Sequence, residues 1–283
     1  MNLEEKYQII KKLGNGTFGI TYLVQDKNGD NYALKVIDVA KAQRTGLDTY
    51  NLQEEVQTLI ELSSDPHCYP YIACYYEYYT TKFRGRNSVC ILSEYVNGPT
   101  LEEMIERMNE SQYVLSEEQL WRYIYQIISA INYIHKMGYA HRDIKPGNIM
   151  FDTMNNQMKL IDFGFACRSN CSDPVGTMYW MPPELFSLSH NATLESAQAH
   201  DIWSLGMVLY EFANLDMPYY LPDESNFVEI KTLIETFPIR SFYKSNTKKG
   251  KAINTLIEII LDKDWKHRPK TQTLLDYMEM YML

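Results

Sequence analysis

The stretch that decides the reading runs from His141 to Gly164. It opens His141-Arg142-Asp143-Ile144-Lys145-Pro146-Gly147-Asn148, passes through an apolar Ile149-Met150-Phe151 and a polar turn at Asn155-Asn156, and closes Lys159-Leu160-Ile161-Asp162-Phe163-Gly164. The first segment offers a carboxylate, an ammonium and an amide close together. The apolar, turn, apolar pattern after it predicts a hairpin that returns a second carboxylate beside them. That donor set suits a metal and a phosphate. Mg²⁺ prefers one or two carboxylates plus phosphate oxygens to an all-protein cage, so Asn148 and Asp162 can hold it while Asp143 stays free for a hydroxyl. Singly the pieces are weak, because Asp-Phe-Gly is a common turn tripeptide and His-Arg-Asp a short match; their order and spacing carry the reading.

The rest of the chain bounds what surrounds this stretch. With 283 residues, 45% of them hydrophobic, it can bury one large core or two lobes. There is no apolar run of membrane-spanning length and the amino terminus lacks a secretory layout, so an intracellular protein is expected, cytoplasmic first and nuclear as the alternative. The net charge of −9 argues against nucleic-acid and membrane partners, which need a positive face. Cys68, Cys74, Cys90, Cys167 and Cys171 are odd in number and lack zinc-ligand spacing, so they read as reduced thiols, with Cys167 and Cys171 as unpaired loop thiols. Oligomeric state is not readable.

Upstream, Gln8 to Leu13 leads into Gly14-Asn15-Gly16-Thr17-Phe18-Gly19, followed by the β-rich Ile20 to Gln25 and a hairpin turn at Asn28-Gly29-Asp30. Glycines let backbone N–H groups close over phosphates. A dinucleotide fold would open a helix after such a loop; here the following residues are β-branched. The third strand, Tyr32 to Ile37, sets Lys35 among apolar neighbours. A helix from Thr49 to Leu62 carries Leu52, Val56, Leu59 and Leu62 as its apolar stripe and supplies Glu54 and Glu55. Strands are expected from Ile72 to Tyr79 and from Ser88 to Tyr95, and Asn97-Gly98-Pro99 has hinge chemistry. Beyond it, Ser116-Glu117-Glu118-Gln119 is a capping box opening a long apolar helix. Asp201 to Gly206 begins another buried helix, and Ser187 to Ala199 and Lys244 to Lys251 read as surface loops.

These motifs together resemble the eukaryotic-type serine/threonine protein kinase catalytic domain, over about residues 7 to 280. The resemblance implies an α+β bilobal fold. A small antiparallel β-sheet lobe with one helix would span 1–96 and a larger, mainly helical lobe 97–283. It implies ATP and Mg²⁺, with Mn²⁺ able to replace it, and a protein substrate. Asp143 becomes the catalytic base and Lys145 the group that stabilises the transferring phosphate; Asn148 and Asp162 hold the metal. Lys35 contacts the α- and β-phosphates, steadied by Glu55 with Glu54 as the fallback. Gly14, Gly16 and Gly19 cover the nucleotide, and Thr21, Ala33, Ser93, Glu94, Val96 and Met150 complete its site. Gly176-Thr177 to Pro183-Glu184 resembles the end of an activation segment, and Glu184 with Arg268 implies a buried ion pair. The rivals are a pseudokinase-like scaffold and a small-molecule kinase. The first would lack a catalytic residue and the second the Gly176 to Glu184 segment.

Some departures generate expectations of their own. Thr21 stands where the family usually has valine, and Gly147 where many kinases of basic substrates have glutamate, so no consensus peptide follows. Ser93 falls at the gatekeeper position, where larger residues are commoner. Asp173, four residues before Thr177, can supply part of the negative charge that a phosphorylated residue brings to Arg142 in related kinases, with Ser169 or Ser172 as the alternative phosphosite.

Overall fold

The computed structural model describes the chain except for residues 1–2, 16–18, 45–48, 64–67, 170, 172–174, 187–192, 220–226, 237, 239–242 and 282–283. The chain divides into two compact units, Met1–Asn97 and Gly98–Leu283.

In the first unit, the strands β1 (Gln8–Asn15), β2 (Gly19–Gln25), β3 (Asn31–Asp38), β4 (Tyr75–Phe83) and β5 (Arg86–Glu94) form one antiparallel sheet in the order β1-β2-β3-β5-β4. The β2–β3 hairpin is set by side-chain chemistry. Asp26 Oδ1 accepts the amides of Asn28 at 2.8 Å and Asp30 at 2.9 Å, and Gly29 takes the φ of +91° that a larger residue would resist. Alternation along the strands puts Tyr22, Val24, Leu34, Val36, Cys90 and Leu92 on one buried face, closed by Leu3 of the short helix α1 (Leu3–Lys6) and by Tyr7. After α2 (Val39–Arg44), helix α3 (Thr49–Leu62) buries Leu52, Val56, Leu59 and Leu62, the stripe read from its period. The tyrosine-rich β4 alternates as expected of a half-buried strand, but it starts at Tyr75 rather than Ile72. The reason is local: Cys74 gives its carbonyl to the Glu94 amide at 2.7 Å and its own amide to the Glu94 carboxylate at 3.1 Å, an anchor in place of a ladder.

The second unit is mainly helical. Helix α4 (Leu101–Ser111) has a capping box of Thr100 and Glu103, and α5 (Glu117–Lys136) has the expected one of Ser116 and Gln119. Ile124, Ile128, Ile131 and Ile134 of α5 are fully buried, and Gly138, at φ +81°, turns the chain out of the helix. The hairpin of β6 (Ile149–Asp152) and β7 (Gln157–Leu160) follows, with Asn156 at φ +55° in its turn.

Two loop expectations are corrected here. Helix α6 (Leu194–Asn214) begins seven residues before Asp201, because Thr193 and Ser196 cap each other's amides at 3.2 and 2.9 Å; residues 193–199 are therefore cap and helix, not loop. Helix α8 (Lys248–Ile260) takes in the end of the Lys244–Lys251 run, with Thr247 as its cap and Ala252, Ile253, Leu256, Ile257 and Ile260 buried behind the lysines. Helices α7 (Phe227–Thr236) and α9 (Thr271–Glu279) complete the unit. Among the described residues, no helix is long and apolar enough to cross a membrane.

The cysteine reading is also corrected. Cys68 pairs with Cys74 and Cys167 with Cys171 in disulfides, with Cα atoms 5.8 and 5.5 Å apart; Cys90 stays a free thiol whose burial pushes its pKa up to about 11. Spacings of six and four residues do not say whether a loop doubles back on itself, and here both do.

Candidate active site

The centre of the second unit is the loop between α5 and β6. It depends on one buried carboxylate. Asp201 of α6 accepts the backbone amides of His141 and Arg142, each at 2.7 Å, and pairs with His135 of α5 at 2.9 Å. Burial pushes the Asp201 carboxyl up, but the His135 hydrogen bond and the surrounding histidines outweigh it and hold the group below the usual carboxylate range. These bonds keep Arg142 at φ +66°, a left-handed conformation that a non-glycine residue adopts only when its surroundings enforce it.

Asp143 is thereby aimed at a dense polar cluster. Thr177 Oγ1 donates to Asp143 Oδ1 at 2.7 Å and accepts from Lys145 Nζ at 2.7 Å; Lys145 Nζ also lies 3.0 Å from Asp143 Oδ2. Asn148 Nδ2 donates to Asp143 Oδ2 at 2.8 Å and to the Asp143 carbonyl at 2.9 Å, so both amide hydrogens are spent on Asp143. Gly176 brings Thr177 in by close approach: at φ +127° it passes so near the Arg142 carbonyl that a Cβ would sit 2.8 Å from that oxygen.

Asp162 follows β7 at φ +59°, exposed, with Oδ1 accepting the Gly164 amide at 3.3 Å. An amide oxygen and a carboxylate are hard donors of the kind Mg²⁺ takes when phosphate oxygens complete its shell. Among the described residues, no group of three or more His, Cys, Asp or Glu is placed to cage a metal without such help. His141 stacks edge-on against Phe163 at 5.0 Å, and Arg142 Nε donates to the Phe165 carbonyl at 2.7 Å, so the turn that carries Asp162 leans on the Asp143 loop.

In the first unit, Lys35 Nζ donates to Glu55 Oε1 at 2.7 Å, and the Glu55 side chain is almost fully buried. Thr21 sits opposite Lys35, and Ala33 opposite Ser93, in the strand register. Gly19 has a packing requirement of its own, since a Cβ there would overlap the Val36 carbonyl; among the described residues, nothing lies within 4 Å of a Cβ at Gly14. Gly16 and Asp173 lie outside the described residues, as does Ser172. Val96 is buried and Met150 half-buried, opposite Lys159 in the β6–β7 hairpin.

Two contributors to the cluster escape the sequence reading. In the sequence Asp201 is visible only as a polar residue opening an apolar run, and Thr177 as part of a segment, with nothing to show that each reaches the Asp143 loop. A buried carboxyl outside this cluster is Glu211 on α6. Burial pushes its carboxyl up to about 7, the Glu102 carboxylate adds to the rise, and the Trp180 indole offsets part of it. Its folded value lies above the unfolded value of 4.5. Glu211 therefore costs nothing below that value and takes stability away as pH rises from there through about 7. Glu211→Gln should match wild type near about pH 4 and exceed it by about 3 kcal/mol near about pH 8, because each tenfold gain in proton affinity on folding is worth about 1.4 kcal/mol. Urea denaturation at both pH values checks this, and a difference that does not change with pH refutes it.

A family model described as protein kinase domain matches residues 7–278. The chain is 31% identical over 281 residues to the probable serine/threonine-protein kinase nek2 of Dictyostelium discoideum, covering 96% of this chain and 62% of that protein. It is 30% identical over 292 residues to the serine/threonine-protein kinase Nek11 of Mus musculus, covering 98% and 42%. To the CBL-interacting serine/threonine-protein kinase 18 of Arabidopsis thaliana it is 32% identical over 223 residues, covering 76% and 39%. The chain thus spans about half the length of the curated relatives it matches.

Proposed function

This chain belongs to the protein kinase domain family, and from that premise we propose that it transfers the γ-phosphoryl group of ATP to serine and threonine hydroxyls of protein substrates. The observation that carries the reading is the cluster in which Asp143, Lys145 and Thr177 bond one another within 3.0 Å. Phosphoryl transfer has a loose transition state with its charge spread over equatorial oxygens, so the protein chiefly positions groups and neutralises charge. Asp143 orients the substrate hydroxyl and accepts its proton. Lys145 meets the charge of the transferring group. Asn148, through its amide oxygen, and Asp162 would hold Mg²⁺, whose chemistry is to neutralise the polyphosphate. Lys35, steadied by Glu55, aligns the α- and β-phosphates under Gly14, Gly16 and Gly19, while Thr21, Ala33, Ser93, Glu94, Val96 and Met150 receive the rest of the nucleotide.

A protein acceptor is favoured over a small molecule by the segment from Gly176 to Glu184. Tyr219 Oη donates to the Tyr179 carbonyl at 2.9 Å and Ser204 Oγ to the Trp180 carbonyl at 2.7 Å, so α6 and the chain after it hold this segment as a platform. Incubation with γ-labelled ATP and Mg²⁺, offered either a generic basic protein or small alcohols and aminoglycosides, tests the assignment. Label in the protein is expected. Label only in the small acceptors, or nucleotide binding with no transfer, overturns it.

Ser93 adds a specificity prediction. It is half-buried and faces the small Ala33 across the β3–β5 register. Two small side chains leave apolar volume that a bulkier residue would fill. The protein should accept N6-bulky ATP analogues and bulky adenine-site inhibitors, and Ser93→Met should lose them while keeping ATP. Equal inhibition of the two proteins counts against this.

A further inference from the structure

We infer that Cys167 and Cys171 form a thiol–disulfide exchange site, reacting with small dithiols and disulfides, that holds the chain at Cys171 against Ala140, next to the Asp143 loop, or releases it. Its effect on phosphoryl transfer rests on the function proposed above; its effect on the segment does not.

The placement is specific. Cys167 is fastened to the residue before the catalytic loop, exchanging both backbone hydrogen bonds with Ala140 at 2.9 Å. With Arg142 Nε on the Phe165 carbonyl, the chain is docked as far as Cys167. Arg168 and Ser169 then turn outward, with the Arg168 guanidinium 5.5 Å from the Tyr139 ring centroid. Cys171 comes back into a small buried cluster with Cys167, Ala140 and Ala197, against which Leu194 packs. The segment's far end is fastened again at Thr177, on Asp143 and Lys145. The Cys167–Cys171 bond therefore ties Cys171 to Cys167, and through the backbone bonds of Cys167 to Ala140, inside a cluster that also packs on Ala197 of α6.

The chemistry closes. A small dithiol gives two electrons and two protons to the protein disulfide, leaving two cysteine thiols and its own cyclic disulfide. In the reverse direction a small-molecule disulfide takes two electrons and two protons from the thiols and leaves as two thiol molecules. Both sulfur-bearing residues are at most 5% exposed, so attack waits on opening of the segment and runs slower than at an exposed bond. By chain entropy, closing a ring this short is worth about twentyfold in population. Reduction should thus lower kcat/KM for a protein substrate by up to about twentyfold and leave KM for ATP in place.

The test uses the full chain carrying Cys68→Ala and Cys74→Ala, with peptide mapping of the unmutated chain as a parallel measurement should that variant fold poorly. Each is equilibrated with oxidised glutathione or with dithiothreitol, and alkylation with mass analysis reports the state of Cys167 and Cys171. Hydrogen exchange is followed over 163–180 and substrate kinetics alongside. Expected are a closed pair after oxidised glutathione, faster exchange and the lower kcat/KM after dithiothreitol, and a Cys167→Ala/Cys171→Ala variant that behaves as the reduced form under both conditions. Thiols that stay alkylatable after oxidised glutathione, equal exchange in both states, or a redox response that persists in the double variant would each overturn the inference. If no transfer occurs at all, the function proposed above fails while hydrogen exchange still decides this one.

Discussion

Asp143→Ala protein is expected to fold as wild type does and to turn over about 10²–10⁴ times more slowly, the range for a lost general base. The side chain accepts from Asn148 and Thr177 and lies beside Lys145, so its loss also frees three groups that would surround the reacting hydroxyl. Its neighbours His141 and Arg142 remain held by Asp201, which is why the loop should survive the change. The deficit should appear in kcat rather than in KM for ATP, because Asp143 is not assigned a nucleotide contact. Asp162→Asn should do at least as much damage through the metal. Steady-state kinetics with a thermal melt on each variant checks both, and a rate for Asp143→Ala equal to that of wild type refutes the assignment.

The largest expected stability effect lies at Arg268. Its side chain is 0% exposed and forks onto Glu184 with Nη1 and Nη2 at 2.6 and 2.7 Å. It also donates to the carbonyls of Ala199 at 3.0 Å and Asp262 at 2.8 Å, and its guanidinium lies 5.0 Å from the Trp203 ring centroid. Arg268→Ala leaves the Glu184 carboxylate without its charge partner and the two carbonyls without these donors. Breaking one side of a buried pair costs roughly 3–5 kcal/mol, or on the order of 10 °C in Tm for a domain of this size. A double variant, Arg268→Met with Glu184→Leu, should recover part of the loss, since removing both charges leaves neither stranded. Thermal and urea unfolding measure both, and an Arg268→Ala loss below about 1 kcal/mol contradicts the account.

What the sequence makes legible follows from how local each signal is. The α3 stripe of Leu52, Val56, Leu59 and Leu62 fixes which face is buried, and the resemblance to the kinase family, aligned on Leu59 and Leu62, selects Glu55 over Glu54 as the residue that meets Lys35. Ser116 and Gln119 announce α5 because a capping box is written within four residues. The α6 cap is harder to see because Ser196 fills the role that glutamate or glutamine usually plays. Nothing local tells that Asp201 and Thr177 reach the Asp143 loop, because they stand 58 and 34 residues from Asp143 and only the fold brings them together. The disulfides escape for a related reason, since pairing depends on loop paths that spacing does not encode. Thr177 also changes how Asp143 is read: the carboxylate is held from two sides by other residues' donors, so its aim is set by the segment as well as by the loop.

The most direct test of the central claim is phosphoamino-acid analysis of a protein substrate after incubation with γ-labelled ATP and Mg²⁺, with wild-type and Asp143→Ala proteins in parallel. The account predicts label on serine and threonine with wild type and its near-complete loss with Asp143→Ala. Wild-type protein that binds the nucleotide yet leaves the substrate unlabelled, or equal labelling by both proteins, would contradict it.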